Sequence, residues 1–137
     1  VVASHFSILI TDDDSEFRET LRCVFEPRGF RTLLAGDGEE AFEIVKHDSV
    51  HLLLLDMHMP RLTGLETIER VKRFNALLPC ILLSARADEL LVKQALAAQA
   101  FAVLPKPVTS HKITSTVQQA LALTYQWHGS LDAGQRS

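Results

Sequence analysis

Several classes of protein are excluded by what this chain has little of. It carries two cysteines in 137 residues, Cys23 and Cys80, too few for the disulfide framework that small secreted domains rely on. No apolar stretch approaches the roughly 20 residues of a membrane-spanning helix; the longest candidates are broken by His51, Pro79 and Pro105. Nor does the amino terminus have the basic, apolar and small-residue layout of a signal peptide. Basic excess is missing too: 14 Lys and Arg stand against 17 Asp and Glu, a net charge of −3. A phosphate-backbone binder needs the opposite balance. The expectation is a soluble protein of the reducing cytosol, with no membrane contact and no direct nucleic-acid binding by this segment.

What is present is the composition of one globular domain, 47% hydrophobic and 23% charged, at a length inside the usual domain range of about 100 to 150 residues. Five short apolar runs recur, at residues 6–10, 30–34, 50–55, 80–83 and 100–104. Stretches with helical spacing lie between them, such as Phe17, Leu21, Val24 and Phe25, or Leu65, Ile68 and Val71. Ile113, Val117, Ala120 and Leu121 repeat that stripe after the fifth run. Residues 90–98 are apolar around much of the helix circumference, so helix is assigned there from Ala and Leu richness. Asp37 followed by Glu40 predicts a capping box, Gly29 a left-handed helix end, and Thr109 or Ser110 the start of the last helix. Near-continuous runs such as Leu52 to Leu55 suit strands buried on both faces. The pattern is α/β: a doubly wound, five-stranded parallel sheet built from five βα units.

In such a sheet, ligands gather beyond the carboxyl ends of the strands. The residues there are Asp12, Asp13 and Asp14 after the first run, Asp56 after the third, Ser84 after the fourth and Lys106 after the fifth. If the first and third strands are neighbours, their carboxylates repel unless a cation intervenes or one takes a proton. A hard divalent ion, Mg²⁺, suits such oxygen donors. With Lys106 and Ser84 added, the set fits phosphoryl transfer, Asp56 acting as nucleophile and the lysine neutralising phosphoryl oxygens. Each residue also has an ordinary reading. Asp12 to Asp14 could be a solvated helix start, Ser84 a turn residue, and Lys106 a surface lysine.

These residues resemble the receiver domain of two-component response regulators. Residues 8–13 (ILITDD) are similar to the family's first strand and acid pair, and 54–60 (LLDMHMP), with Gly64 eight residues after Asp56, to its phosphoacceptor strand and loop. Residues 81–85 (ILLSA) and 104–107 (LPKP) are similar to its hydroxyl-bearing strand and its lysine-proline ending. The resemblance implies a flavodoxin-like strand order 2-1-3-4-5, a domain over residues 1–126 and a tail or linker over 127–137. It implies a phosphoryl group accepted on Asp56 from a histidine kinase or phosphotransfer protein, with the chain catalysing only its own phosphorylation and dephosphorylation. Asp13, Asp56 and the carbonyl of His58 would hold Mg²⁺, with Asp12 acting mostly through water. Lys106, set by a cis bond to Pro107, would pair with the phosphoryl group. Ser84 would turn toward it and bias the face formed by the fourth helix, fifth strand and fifth helix, read by a downstream protein, an output domain or a second copy in a homodimer.

Two positions depart from that pattern. Val103 stands where the family commonly has Tyr or Phe, with Phe101 expected on the same face of the strand. Gln99 stands where Gly is common; a left-handed backbone there would cost about 1 to 2 kcal/mol, and an irregular end to the fourth helix is expected.

Three other readings compete. Residues 36–41 (GDGEEA) fit G-x-G-x-x-A with Asp56 20 residues after Gly36, as in dinucleotide binding; Asp37, Glu39 and Glu40 argue against it, because bare amides should face a pyrophosphate. A phosphohydrolase working through an aspartyl phosphate would want a carboxylate two residues after Asp56, where His58 stands. A degenerate, docking-only receiver is disfavoured by the complete set of acids, hydroxyl and lysine. The six histidines show no metal-ligand spacing in a shared element. Cys80 is expected to be an inert core thiol and Cys23 partly exposed, while Trp127 either packs on the last helix or belongs to the tail.

Overall fold

The computed structural model describes residues 5–129. Five parallel strands, β1 (Ser7–Thr11), β2 (Arg31–Ala35), β3 (Leu52–Asp56), β4 (Cys80–Ser84) and β5 (Ala102–Pro105), form one sheet in the order β2-β1-β3-β4-β5. Between and after them run α1 (Ser15–Phe25), α2 (Gly38–His47), α3 (Gly64–Phe74), α4 (Glu89–Ala97) and α5 (Ser110–Tyr125).

The continuous apolar runs work because successive side chains alternate between two cores. Ile8, Ile10, Leu52, Leu54, Ile81 and Leu83 point to one face, where Leu21 and Phe25 of α1 and Ile113, Val117 and Leu121 of α5 cover them. Leu9, Leu53, Leu55 and Leu82 point to the other, against Ala41 and Val45 of α2, Ile68 and Val71 of α3, and Leu91 and Ala95 of α4. The exposed faces of Leu90 and Leu96 account for the weak amphipathicity of α4.

Every described α-helix starts on an Asp or Thr whose side chain accepts a backbone N–H of the first turn: Asp14, Asp37, Thr63, Asp88 and Thr109, each contributing about 1 kcal/mol. Only half of the capping box expected at Asp37 forms. The Asp37 carboxylate takes the Glu40 N–H, but the Glu40 carboxylate reaches back one residue further, to the N–H of Gly36. The complete box is at Thr63 and Glu66, opening α3.

Helix ends follow one rule with two residue types. A 3₁₀ turn (Glu26–Arg28) extends α1 and closes on Gly29, φ 96°, with Phe30 N–H donating to Phe25 O and Gly29 N–H to Glu26 O. The end of α4 has the same pair of bonds, Ala100 N–H to Ala95 O and Gln99 N–H to Leu96 O, around Gln99 at φ 68°. Gln99 is left-handed, yet the helix end expected to be irregular is regular, because this Schellman closure satisfies the last carbonyls whichever residue occupies its left-handed position. Phe101 corrects the sequence reading. It packs with the α1/α5 core while Val103 packs with the α2/α3/α4 core, since the bend at residue 101 resets the alternation before β5 begins.

Trp127 lies beyond α5 yet is buried, edge-on to Phe6 and Phe30. Among the described residues, no helix is long and apolar enough to cross a membrane.

Candidate functional site

The strand order puts β1 between β2 and β3, so the carboxyl ends of β1 and β3 lie side by side, with Thr11 opposite Leu55. Asp12 and Asp56 therefore meet. A ligand oxygen from each of Asp12, Asp13 and Asp56 falls within 4.8 Å of the others. Asp12 and Asp56 are buried and Asp13 is exposed, which gives the cluster one open side.

Lys106, one residue past β5, reaches back across the strand ends. Its ammonium lies 2.9 Å from Asp12 Oδ2 and 2.9 Å from Asp56 Oδ1. The Lys106–Pro107 peptide bond is cis, and the Lys106 N–H donates to the carbonyl of Ser84. Burial pushes the Asp56 carboxyl above its usual range; the hydrogen bond from Lys106 opposes this, and the charges of Asp12 and Asp13 add to the rise. Burial works against the Lys106 charge as well, but the bonds to Asp12 and Asp56 outweigh it and hold the ammonium above its ordinary value.

Local bonds fix the acid pair. Asp12 Oδ1 accepts the Asp14 N–H, while Asp14 caps α1 and so faces away from the cluster. Arg18, a turn into α1, donates to the carbonyl of Asp12. On the opposite loop, the Met57 carbonyl accepts the Gly64 N–H. Gly64 has no room for a side chain: a Cβ would lie 2.5 Å from Leu82 Cδ1 and 2.6 Å from the carbonyl oxygen of Asp56. That packs α3 directly beneath the Asp56 backbone.

Ser84 is fully buried, and its hydroxyl accepts the Arg86 N–H. His58 is exposed on the loop after β3, and its side chain is not part of the carboxylate cluster. It lines, with Met57, Arg86, Asp88 and Leu91, a cleft of about 190 Å³ between that loop and α4.

The structure thus gathers Asp12, Asp13, Asp56 and Lys106 at one end of the sheet and puts Ser84 at the adjoining strand end. Sequence reasoning missed two neighbours of this group. Phe17 lies under the Lys106 ammonium, 4.2 Å from ring centroid to nitrogen, and Arg18 anchors Asp12. Phe17 reads in the sequence as one more apolar position of α1, and nothing local to Arg18 signals its backbone partner.

The dinucleotide reading fails on geometry. The amides that would hold a pyrophosphate at α2 are already used by carboxylates, Glu40 N–H by Asp37 and Gly36 N–H by Glu40. Gly38 instead makes room for Thr67, which a Cβ there would strike.

A family profile described as the response regulator receiver domain matches residues 8–118. The chain is a response regulator receiver domain. Relatives of this receiver include the transcriptional regulatory protein CpxR of Escherichia coli K12, 35% identical over 114 residues that cover 83% of this chain and 48% of that protein. The response regulator MprA of Mycobacterium leprae is 37% identical over 117 residues, 85% of this chain and 51% of that protein. The receiver therefore spans about half the length of these curated relatives. Among solved structures, the CheX–CheY–BeF₃–Mg²⁺ complex from Borrelia burgdorferi matches with a TM-score of 0.81 at 29% identity, covering 85% of this chain and 89% of that one.

Proposed function

We propose that this receiver accepts a phosphoryl group on Asp56 from a histidine kinase or phosphotransfer protein. The observation that carries the reading is the pair of bonds from Lys106 to Asp12 and Asp56, with the acid cluster open beside them. An Asp56 oxygen forms the new O–P bond as the P–N bond of the donor phosphohistidine breaks, and the departing imidazole takes a proton. Lys106 then trades a carboxylate oxygen for a phosphoryl oxygen, and Ser84, whose hydroxyl accepts the Arg86 N–H, donates its O–H to another.

The cluster fits a hard divalent ion. It offers oxygen donors alone, two of the three acids are buried, and among the described residues the cation paired with their carboxylates is the Lys106 ammonium. Asp13, Asp56 and the carbonyl of His58 are the residues that would hold Mg²⁺, with Asp12 beside them. Bound there, the ion would supply positive charge next to the phosphoryl oxygens.

Output is assigned to the face of α4, β5 and α5. Among the described residues, Val103 holds the position of the family's rotating aromatic and Phe101 packs on the opposite core, so neither supplies an inward-turning ring there. Movement of Ser84 is passed on by backbone and helix displacement instead. The reader is a downstream protein, an output domain, or a second copy in a homodimer, and the setting is cytoplasmic.

Acetyl phosphate with Mg²⁺ tests this. One label per chain is expected on the wild type and none on Asp56→Asn. Equal labelling of the variant, or sustained release of phosphate from external phosphoesters, overturns it in favour of another acceptor or a phosphohydrolase.

A further inference from the structure

Three groups among the described residues interact with the cation of Lys106. Two are the carboxylates of Asp12 and Asp56; the third is the face of Phe17. Phe17 stands in the first turn of α1, where its N–H is fixed by the Asp14 cap, and its ring packs against the α1/α5 core. Its position is therefore set independently of the lysine. The Lys106 side chain is 22% exposed, and the ring covers one side of its ammonium.

We propose that Phe17 is a positioning residue for phosphoryl transfer, holding the Lys106 ammonium over its ring while the lysine exchanges a carboxylate for a phosphoryl oxygen. The inference rests on Asp56 being the acceptor. The hydrogen bond of Lys106 to Asp12 is directional, and its ion pair with Asp56 must rearrange as Asp56 becomes an acyl phosphate. Attraction to an aromatic face is electrostatic and broad, so it survives a pivot of the ammonium. An aliphatic wall would exclude water equally well but return nothing to the cation. Phe17 thus keeps the lysine desolvated and aimed between the two bonded states.

Acetyl phosphate separates this role from donor docking, because it presents no protein surface to α1. Labelling rates are measured against donor concentration, with Mg²⁺, for the wild type, Phe17→Leu, Phe17→Met and Phe17→Tyr. Phe17→Leu and Phe17→Met are expected to lower the maximal rate about tenfold, the scale of a partly desolvated cation–π contact. The half-saturating donor concentration and the Mg²⁺ affinity by calorimetry should stay within about twofold of the wild type. Phe17→Tyr, which keeps the ring, should restore the rate. Thermal melts check folding, and if Phe17→Leu is unfolded, Phe17→Met against Phe17→Tyr decides the matter. Wild-type rates in the aliphatic variants, or a Tyr variant as slow as they are, overturn the proposal. A wild type that takes no label sinks the phosphoacceptor reading itself, a result distinct from either.

Discussion

The two ends of the sheet are built on opposite principles. At the carboxyl end, Asp12 and Asp56 are buried beside one another with a single lysine between them, and Thr11 Oγ1 is buried without a hydrogen bond among the described residues. At the amino end, Phe6, Phe30, His51, Tyr125 and Trp127 pack edge to face, with the Tyr125 hydroxyl donating to the carbonyl of His51 and the Ser7 N–H to His51 Nδ1. One end keeps polar groups under tension and the other resolves them. On the proposed function, the carboxyl end must tolerate unbalanced charge before a cation and a phosphoryl group arrive, and the opposite end is free to supply stability.

If that division holds, substitutions should separate cleanly by location. Asp56→Asn, the largest effect, abolishes labelling, yet without divalent cation its melting temperature at neutral pH should equal or exceed that of the wild type. The sign follows from the raised pKa of Asp56: an acid whose folded pKa lies above its unfolded value contributes most below the unfolded pKa, and that contribution is lost as pH rises through the folded pKa. A clear loss of stability would break the comparison. Trp127→Ala does the reverse, costing about 3 kcal/mol through the cavity it leaves while labelling proceeds at the wild-type rate. Chemical denaturation and a labelling assay on one preparation check both halves.

A smaller effect sharpens the contrast from the active end. Thr11→Val keeps the side-chain shape and removes an unpartnered hydroxyl, so it should stabilise by about 1 kcal/mol; a loss of stability would mean the hydroxyl has a partner in solution. The smallest concerns His51, whose pKa burial lowers, with the charge of Arg31 adding to the effect. A histidine depressed in the folded state contributes fully above its unfolded pKa, near 6.5, and loses that contribution as pH falls through the folded value. Protonation of Nδ1 also removes the acceptor for Ser7 N–H. His51→Gln should therefore flatten the acid side of the stability profile below about pH 6.5, and an unchanged profile would place the acid sensitivity elsewhere.

The strands and the place where the candidate site residues gather were legible in the sequence for one reason. Double-faced burial writes β1, β3 and β4 as near-continuous apolar runs, and the fold puts the residue after each run at the ligand end. Asp12, Asp56, Ser84 and Lys106 could be selected from position alone, and their order and spacing carried the family. Contacts between distant elements were not legible. Phe17 under Lys106 joins the first helix to the loop after β5, and a position on an apolar stripe does not say whether its ring meets core or cation. Phe101 was assigned to the wrong face because period-two alternation holds only inside a strand, and the bend before β5 breaks it. Gln99 shows the middle case: the position stood out in the sequence, but not that two backbone hydrogen bonds would make the helix end regular. The thiols behaved as expected, Cys23 exposed and Cys80 buried, its pKa pushed up to about 12 by burial.

The central claim is that one carboxylate in this acid cluster, that of Asp56, receives the phosphoryl group. The direct measurement is intact-mass and peptide-mass analysis after treatment with acetyl phosphate and Mg²⁺, followed by chelation of the metal in fresh samples. The account predicts a single phosphoryl increment per chain, confined to the peptide containing Asp56 and absent when the metal is chelated beforehand. An increment on any other residue, or on the Asp56 peptide at full rate without divalent cation, would contradict it.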